Sequence, residues 1–422
     1  MDQIIYKNYV AILESELFPA LGCTEPIAVA YAAAKTREVL GEMPDEIDIT
    51  CSGNIIKNVK GVVVPTSGGL IGIDVATILG VVGGQADKKL EVLCGINDEH
   101  RKLTRELVAS GMCRVHLCEG EENLYISCTA KKGCDTATVE IKTYHTNITK
   151  IEKNGQVIFT KDDKSVEKIS GDKTLLNMKD IYTFSNEAVL ADVEEIIDRQ
   201  IKMNSEISEE GLKNSWGVNV GSELLKQYGD DVKFRAAAYA AAGSDARMSG
   251  CAMPVVINSG SGNQGITVSM PVIIYAQELK VSHEKLVRAL VLSNLISLNQ
   301  KRHIGSLSAY CGATSAGAAA ACGIAYLNDE SFEVICNTII NSIGTIGGMV
   351  CDGAKPSCAA KIRSAVDTGL MGYFLAKDGF VFGSGEGIVE GDIEQTIINV
   401  GRMGRVGMAG TDIEILNIMI GK

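Results

Sequence analysis

Aromatic side chains are scarce in this sequence, 5% of 422 residues with a single tryptophan. Basic charge is also short: 40 Lys and Arg stand against 52 Asp and Glu, a net charge of −12. A chain of that sign repels phosphate backbones and anionic lipid unless it carries a basic patch, and none is visible. Neither nucleic acid nor a membrane is therefore expected as a partner. Long apolar runs are missing too. The stretch 61–84 is broken by Pro65 and Asp74, and Gly312–Leu327 holds 16 residues, short of the ~20 needed to span a bilayer. The opening Met1-Asp2-Gln3 lacks the basic flank and apolar run of a signal peptide, so a cytoplasmic protein is expected. No Walker motif and no His-Glu-x-x-His occurs. Gly260-Ser-Gly-Asn-Gln-Gly265 has the glycine spacing of a dinucleotide fingerprint but neither its strand nor its ribose-binding acid.

What the chain does hold is a 46% hydrophobic content, 45 glycines and 13 cysteines. That length and apolar content can bury a large core, and disorder is excluded. Disulfide scaffolds are short and secreted, so the thiols of this long chain are expected to be reduced.

Two helices open the sequence, about 3–17 and 27–40, separated by a break at Pro19 to Pro26. From about residue 45 the texture turns β-like. The stretches 113–118, 124–128, 136–142 and 157–160 alternate in the strand period, which predicts an antiparallel meander with helices such as 98–110 on one face. Residues 161–178 read as a linker or exposed loop. After Asp180 the chain is helical almost to its end, with helices near 186–202, 232–247, 268–279, 282–298, 313–327, 332–343 and 357–375, many made of Ala, Gly, Ser and Cys. The expected fold is therefore α+β: a small α/antiparallel-β lobe (45–165) and a large all-helical, Gly/Ala-rich catalytic lobe (166–422), with the N-terminal helices (1–44) packing on the latter. Pro65-Thr-Ser-Gly-Gly-Leu-Ile-Gly-Ile73 weakly echoes Asn258-Ser-Gly-Ser-Gly-Asn-Gln-Gly-Ile266, through duplication or through chance.

Three places could carry chemistry. Cys311 heads the small-residue segment Cys-Gly-Ala-Thr-Ser-Ala-Gly, and forty residues later comes Cys351-Asp-Gly-Ala-Lys-Pro-Ser-Cys358. Thiolates ligate zinc or iron–sulfur clusters, and loop-to-helix junctions let ligands converge under stabilising amides. Free cysteine is otherwise a small buried hydrophobe, and Cys322, Cys336, Cys113, Cys118 and Cys128, inside helix or strand patterns, are read that way. The second place is Phe18-Pro-Ala-Leu-Gly-Cys23-Thr-Glu-Pro26. A thiol at a helix start has a lowered pKa, so Cys23 could ligate or accept a proton; the plainer reading is a capping turn with Thr24 as cap and Pro26 in the first turn. The third is Asn258-Ser-Gly-Ser-Gly-Asn-Gln-Gly265, where backbone amides with Ser259, Ser261, Asn263 and Gln264 would hold a carboxylate; a structural turn is the alternative. Lys355, beside a Gly-rich loop, could pose as the Schiff-base lysine of a pyridoxal-phosphate lyase. His303 is taken as a solvated or core histidine.

Together, Glu16-Leu-Phe-Pro-Ala-Leu-Gly-Cys-Thr-Glu-Pro26, Ser259-Gly-Ser-Gly-Asn-Gln-Gly265, Cys311-Gly-Ala-Thr-Ser-Ala-Gly317 and Cys351-Asp-Gly-Ala-Lys-Pro-Ser-Cys358 resemble the L-cysteine desulfidase family over essentially the whole chain. That family is related to the iron–sulfur L-serine dehydratases, whose pattern maps onto Cys311, Cys351-Asp352 and Cys358. The last interval is shorter here, and the dehydratases lack the Gly-Cys-Thr-Glu-Pro motif, which leaves Cys23, Cys311 and Cys351 as a rival trio. The resemblance implies a [4Fe–4S] cluster and conversion of L-cysteine to pyruvate, ammonia and hydrogen sulfide without pyridoxal phosphate. It implies a small amino-acid substrate, whose carboxylate the Ser259–Gln264 loop would hold; the base is unassigned, with Cys23 as first candidate and Lys355 as second. L-Serine dehydratase, a structural zinc protein and an amino-acid-binding sensor are the other readings. A homo-oligomer is compatible with all of them.

Overall fold

The computed structural model describes residues 1–120, 124–161, 171–305 and 307–422. The expected boundary at 165/166 and part of the expected linker fall outside them. The fold is α+β, with a small sheet lobe and a large helical part.

The first part of the chain runs α1 (Gln3–Glu16), β1 (Pro19–Leu21), α2 (Thr24–Leu40), β2 (Glu46–Ser52), α3 (Gly53–Val59), α4 (Ile73–Gly83) and α5 (Asp98–Ala109). Strands β3 (Cys113–Cys118), β4 (Tyr125–Lys132), β5 (Asp135–Lys142), β6 (Ile148–Lys153) and β7 (Gln156–Thr160) then complete a six-stranded sheet in the order β3-β2-β4-β5-β6-β7. The expected antiparallel meander holds for β4, β5 and β7, with the unforeseen strand β6 between β5 and β7, and not for β3. Two further features differ. Strand β2, overlooked in the sequence, inserts between β3 and β4 and runs parallel to β3, as a crossover through α3, α4 and α5 permits. Helix α5 packs on α4, and it is α2 that lies across β4 and β5.

The second part runs α6 (Met178–Glu187), α7 (Leu190–Lys213), α8 (Val220–Tyr228), α9 (Val232–Met248), β8 (Pro254–Val256), α10 (Gly262–Leu279), α11 (His283–Ile304), α12 (Gly312–Leu327), α13 (Phe332–Ile346), α14 (Cys358–Lys377), α15 (Ile393–Arg402) and α16 (Ala409–Ile420). Small residues set its packing. A Cβ on Gly317 of α12 would lie 2.6 Å from the Ala365 carbonyl of α14, and one on Gly369 of α14 would lie 2.5 Å from the Gly317 carbonyl. Such contact fixes where the two helices begin, and both begin at the same place.

The part expected to be all-helical contains one short ribbon. β1 pairs antiparallel with β8, Pro19 opposite Val256 and Leu21 opposite Pro254, and Ile257 N–H donates to Phe18 O at 3.1 Å. This pairing carries the Cys23 turn to the Ser259 loop across more than 230 residues of sequence. Cys322 and Cys336 are buried inside helices and Cys128 is buried on the sheet, as expected, while Cys113 and Cys118 are half-buried. Among the described residues no helix is long and apolar enough to cross a membrane.

Candidate active site

Cys311 and Cys351 are brought together by backbone pairing. Tyr310 and Val350 form an isolated antiparallel bridge; Cys311 N–H donates to Met349 O at 3.0 Å, and Cys351 N–H donates to Ala309 O at 2.6 Å. Cys311 occupies the N-cap of α12, and Cys358 is the first residue of α14. The three cysteines therefore sit where two helix N-termini, which favour negative charge, meet. All three line a cavity of about 620 Å³. The Cys311 thiol donates to Cys351, and this hydrogen bond, with Lys57 and Lys301 nearby, brings Cys351 below the ordinary thiol value against its burial. The same hydrogen bond and burial push Cys311 up. Lys57, 1% exposed, is ion-paired with Asp412 of α16, and buried Lys301 of α11 lines the cavity. Burial lowers Lys301 to about 8, with the Cys351 and Cys311 sulfurs opposing that fall.

Lys355 does not line the cavity. Its ammonium is bound to the Asp352 carboxylate and to the carbonyls of Asp352 and Gly353, closing the turn between Cys351 and Cys358. The lysine that does face the cavity from this segment is Lys361, which also pairs with Asp352 and donates to Val350 O at 2.6 Å.

The Cys23 turn forms a second wall. Gly22 takes a left-handed backbone (φ 61°) against Pro65, so close that any Cβ would clash with that ring. Cys23, rather than Thr24, is the N-cap of α2, and it makes no side-chain cap bond. Its thiol instead donates to Glu25 Oε2 at 3.0 Å, while Thr24 Oγ1 donates to Gly260 O at 3.1 Å and ties the turn to the loop. The expectation of a lowered Cys23 thiol is reversed: burial, and then the Glu25 carboxylate, hold it well above its ordinary value. The Glu25 backbone N–H at the helix start opposes this rise and is outweighed. Glu25 itself is pushed up by burial, but His145, 3.8 Å away, and the Cys23 thiol overcome this and hold it at about 2. Cys23 also shares a small apolar cluster with Val62, Met248, Ala354 and Cys358. The trio Cys311, Cys351 and Cys358 and its rival partner Cys23 thus border one space.

The Ser259–Gln264 segment lines the third wall, with all four expected side chains on the cavity. Only its first part is a loop. Helix α10 starts at Gly262, earlier than expected, because Ser261 caps it and Gly265 lets the helix lie directly on the Val256 carbonyl of β8. The loop rests on a buried polar network. Asn258 donates to Asn294 Oδ1 at 3.0 Å and accepts from Ser259 and Ser297; Asn294 in turn exchanges hydrogen bonds with Gln200. Gln264 packs against Gly312, where a Cβ would lie 2.4 Å from its Cδ, and its Oε1 is buried without a hydrogen-bond partner.

Several cavity residues carried no sequence assignment. Arg247, at the end of α9, is buried and donates through Nη1 to Asn263 Oδ1 at 3.0 Å. It closes a run of Ala, Gly and Ser, and an arginine in such a helix was a readable signal. Lys301 likewise ends an apolar helix. His145 offered none: it sits in the β5–β6 turn of the small lobe, beyond Thr143 with its left-handed backbone (φ 69°). His303 does not line the cavity; it packs on Gly401 of α15. The echo at Pro65–Ile73 is also a loop followed by a helix, and it buttresses the Cys23 turn.

Comparison with known proteins adds the lineage. A family model described as serine dehydratase alpha chain matches residues 87–417. That match takes in Arg247, the Ser259–Gln264 segment and all three cavity cysteines of the helical part, and not Cys23 or Glu25. A UPF0597 protein of Lachnoclostridium phytofermentans is 51% identical over 416 residues, covering 99% of this chain and 100% of the relative. A UPF0597 protein of Treponema denticola is 48% identical over 428 residues, covering 100% of this chain and 99% of the relative. A protein with a cysteine-lined cavity of this kind and a match over most of its length belongs to the serine dehydratase alpha chain family.

Proposed function

We propose that the chain is an iron–sulfur lyase that β-eliminates L-cysteine to pyruvate, ammonia and hydrogen sulfide without pyridoxal phosphate. One observation carries this reading: Cys311, Cys351 and Cys358 border the same cavity as the Ser259–Gln264 segment and the Cys23–Glu25 turn. The donor chemistry suits a [4Fe–4S] cluster. Cys311 and Cys358 stand at two helix N-termini, Cys351 sits beside the Tyr310–Val350 bridge, and Lys57, Lys301 and Lys361 lie around the three, so thiolate charge is compensated. Cys311, Cys351 and Cys358 would hold such a cluster, which when bound would supply a soft Lewis acid suited to a leaving sulfur.

The chain's own residues do the rest. The hydroxyls and amides of Ser259, Ser261, Asn263 and Gln264 orient the amino acid by its carboxylate end. Cys23, at the same cavity, either completes the ligand set or takes the Cα proton after passing its own thiol proton to Glu25, the carboxylate it already donates to and which His145 flanks. Lys355 is a turn clamp in this reading, and its engagement with Asp352 leaves a Schiff base without support. A second reading, dehydration of L-serine at the same site, is favoured by the family match.

Anaerobically purified protein assayed against both amino acids tests the proposal. Pyruvate and sulfide formed from L-cysteine, at a higher kcat/KM than pyruvate from L-serine, is the expected result. Faster turnover of L-serine transfers the assignment to the dehydratase reading. Bound zinc with turnover of neither refutes both, and leaves a non-catalytic metal or amino-acid binder.

A further inference from the structure

An amino acid in this cavity brings a full negative charge on its carboxylate, and hydroxyls and amides alone offset that charge poorly in a water-poor space. Among the described residues that line the cavity, Arg247 is the cation bound directly to the Ser259–Gln264 segment. Arg247 is 2% exposed, and its guanidinium makes a hydrogen bond to Asn263 Oδ1 at 3.0 Å. Its Nε is buried with no hydrogen-bond partner among the described residues. A buried, unmatched guanidinium N–H is costly, so a site that keeps one is arranged for an acceptor that arrives with the ligand.

The backbone around it is cut to receive it. Gly262, in the first turn of α10, lies so close that a Cβ there would sit 2.3 Å from Arg247 Nε. The unpartnered Gln264 Oε1 is two residues further on, an acceptor suited to an ammonium group. The other cavity lysines and arginine are committed elsewhere: Lys361 to Asp352 and Val350 O, Lys301 to the side of Cys311 and Cys351, Lys173 to Glu16, and Arg302 to Asn299 and the carbonyls of Lys173 and Thr174.

Building on the lyase reading, we infer that Arg247 is the residue that binds the substrate carboxylate, with Gln264 Oε1 beside it to accept from the amino group. This makes the pocket selective for free α-amino acids over amides, esters and amines.

Equilibrium binding of L-alanine and L-alaninamide to anaerobic, cluster-loaded protein tests the inference, because neither ligand carries a leaving group. Wild type should bind L-alanine well above the amide. Arg247→Gln should weaken L-alanine by about 10- to 100-fold, the scale of one charge-assisted hydrogen bond, and leave the weak amide binding and the iron content unchanged. Arg247→Lys should recover part of the loss, and Gly262→Ala, which displaces the guanidinium without removing it, should fall between. Wild-type affinity for L-alanine in Arg247→Gln overturns the assignment, as does an equal loss for acid and amide, which marks a structural role. If wild type turns over L-cysteine while Arg247→Gln binds L-alanine normally, only this inference fails; if wild type neither binds nor turns over any amino acid, the lyase reading fails with it.

Discussion

Residue by residue, the site is governed by which charges share its cavity. Cys23 illustrates the point. Its place at a helix start suggests a thiolate, yet burial and the Glu25 carboxylate keep the proton on sulfur. The role of Cys23 is therefore decided by substitution. If it is a ligand, Cys23→Ser loses iron; if it is the proton acceptor, iron stays and turnover falls by ~10²–10⁴. Cys23→Ala with unaltered iron and rate reduces it to packing. Glu25 gives a second test. Its folded-state pKa of about 2 lies below the ordinary carboxylate value, so its contribution to stability is present above about pH 4.5 and drains away as pH falls toward 2. In denaturant titrations between those limits, wild type should lose its advantage over Glu25→Gln progressively; a gap that stays constant with pH contradicts the linkage. The cysteines on the cavity were legible because they adjoin Gly and Pro turns. Lys355 looked reactive for the same reason, and only the folded turn shows its amine bound to Asp352. His145 could not be read at all, because its value lies in which distant element its turn touches.

At the level of elements, small residues do two jobs that composition alone hints at. They let helices meet at backbone contact, and in doing so they fix where the helix starts lie. The α12–α14 crossing at Gly317 and Gly369 sets Cys311 and Cys358 on one wall. Gly317→Val should cost about 1–3 kcal/mol through overpacking, measurable by chemical denaturation, and should lower iron occupancy because the two starts are forced apart. Unchanged stability would show that the crossing yields without strain. Helix periodicity and strand alternation gave the longer helices and four of the strands, but the helix expected at 186–202 runs across the break between α6 and α7, and short elements such as α3, α8, β6 and β8 were missed. Strand β2 was locally legible, since Ile47, Ile49 and Cys51 alternate with Asp48 and Thr50, but its place between β3 and β4 was not, because those partners lie far along the chain. The early start of α10 escaped because glycines normally argue against a helix, and here they are needed for contact with β8.

Across the whole molecule, the cavity is assembled from both parts of the chain. The helical part supplies the cysteines, Arg247 and the Ser259–Gln264 segment; the N-terminal turn supplies Cys23 and Glu25; the sheet lobe supplies His145. The β1–β8 ribbon and the Tyr310–Val350 bridge are the small pairings that hold these together, and neither could be read from local pattern. The α+β division was legible from the change of texture near residue 45 and again near 180. The central claim is that three cysteines of this chain hold one iron–sulfur cluster in that shared cavity. It is tested most directly by iron and acid-labile sulfide analysis of anaerobically purified wild type and Cys311→Ala. The account expects iron and sulfide in equal amounts in wild type and loss of both in Cys311→Ala; full iron and sulfide retained in Cys311→Ala, or zinc in their place in wild type, would contradict it.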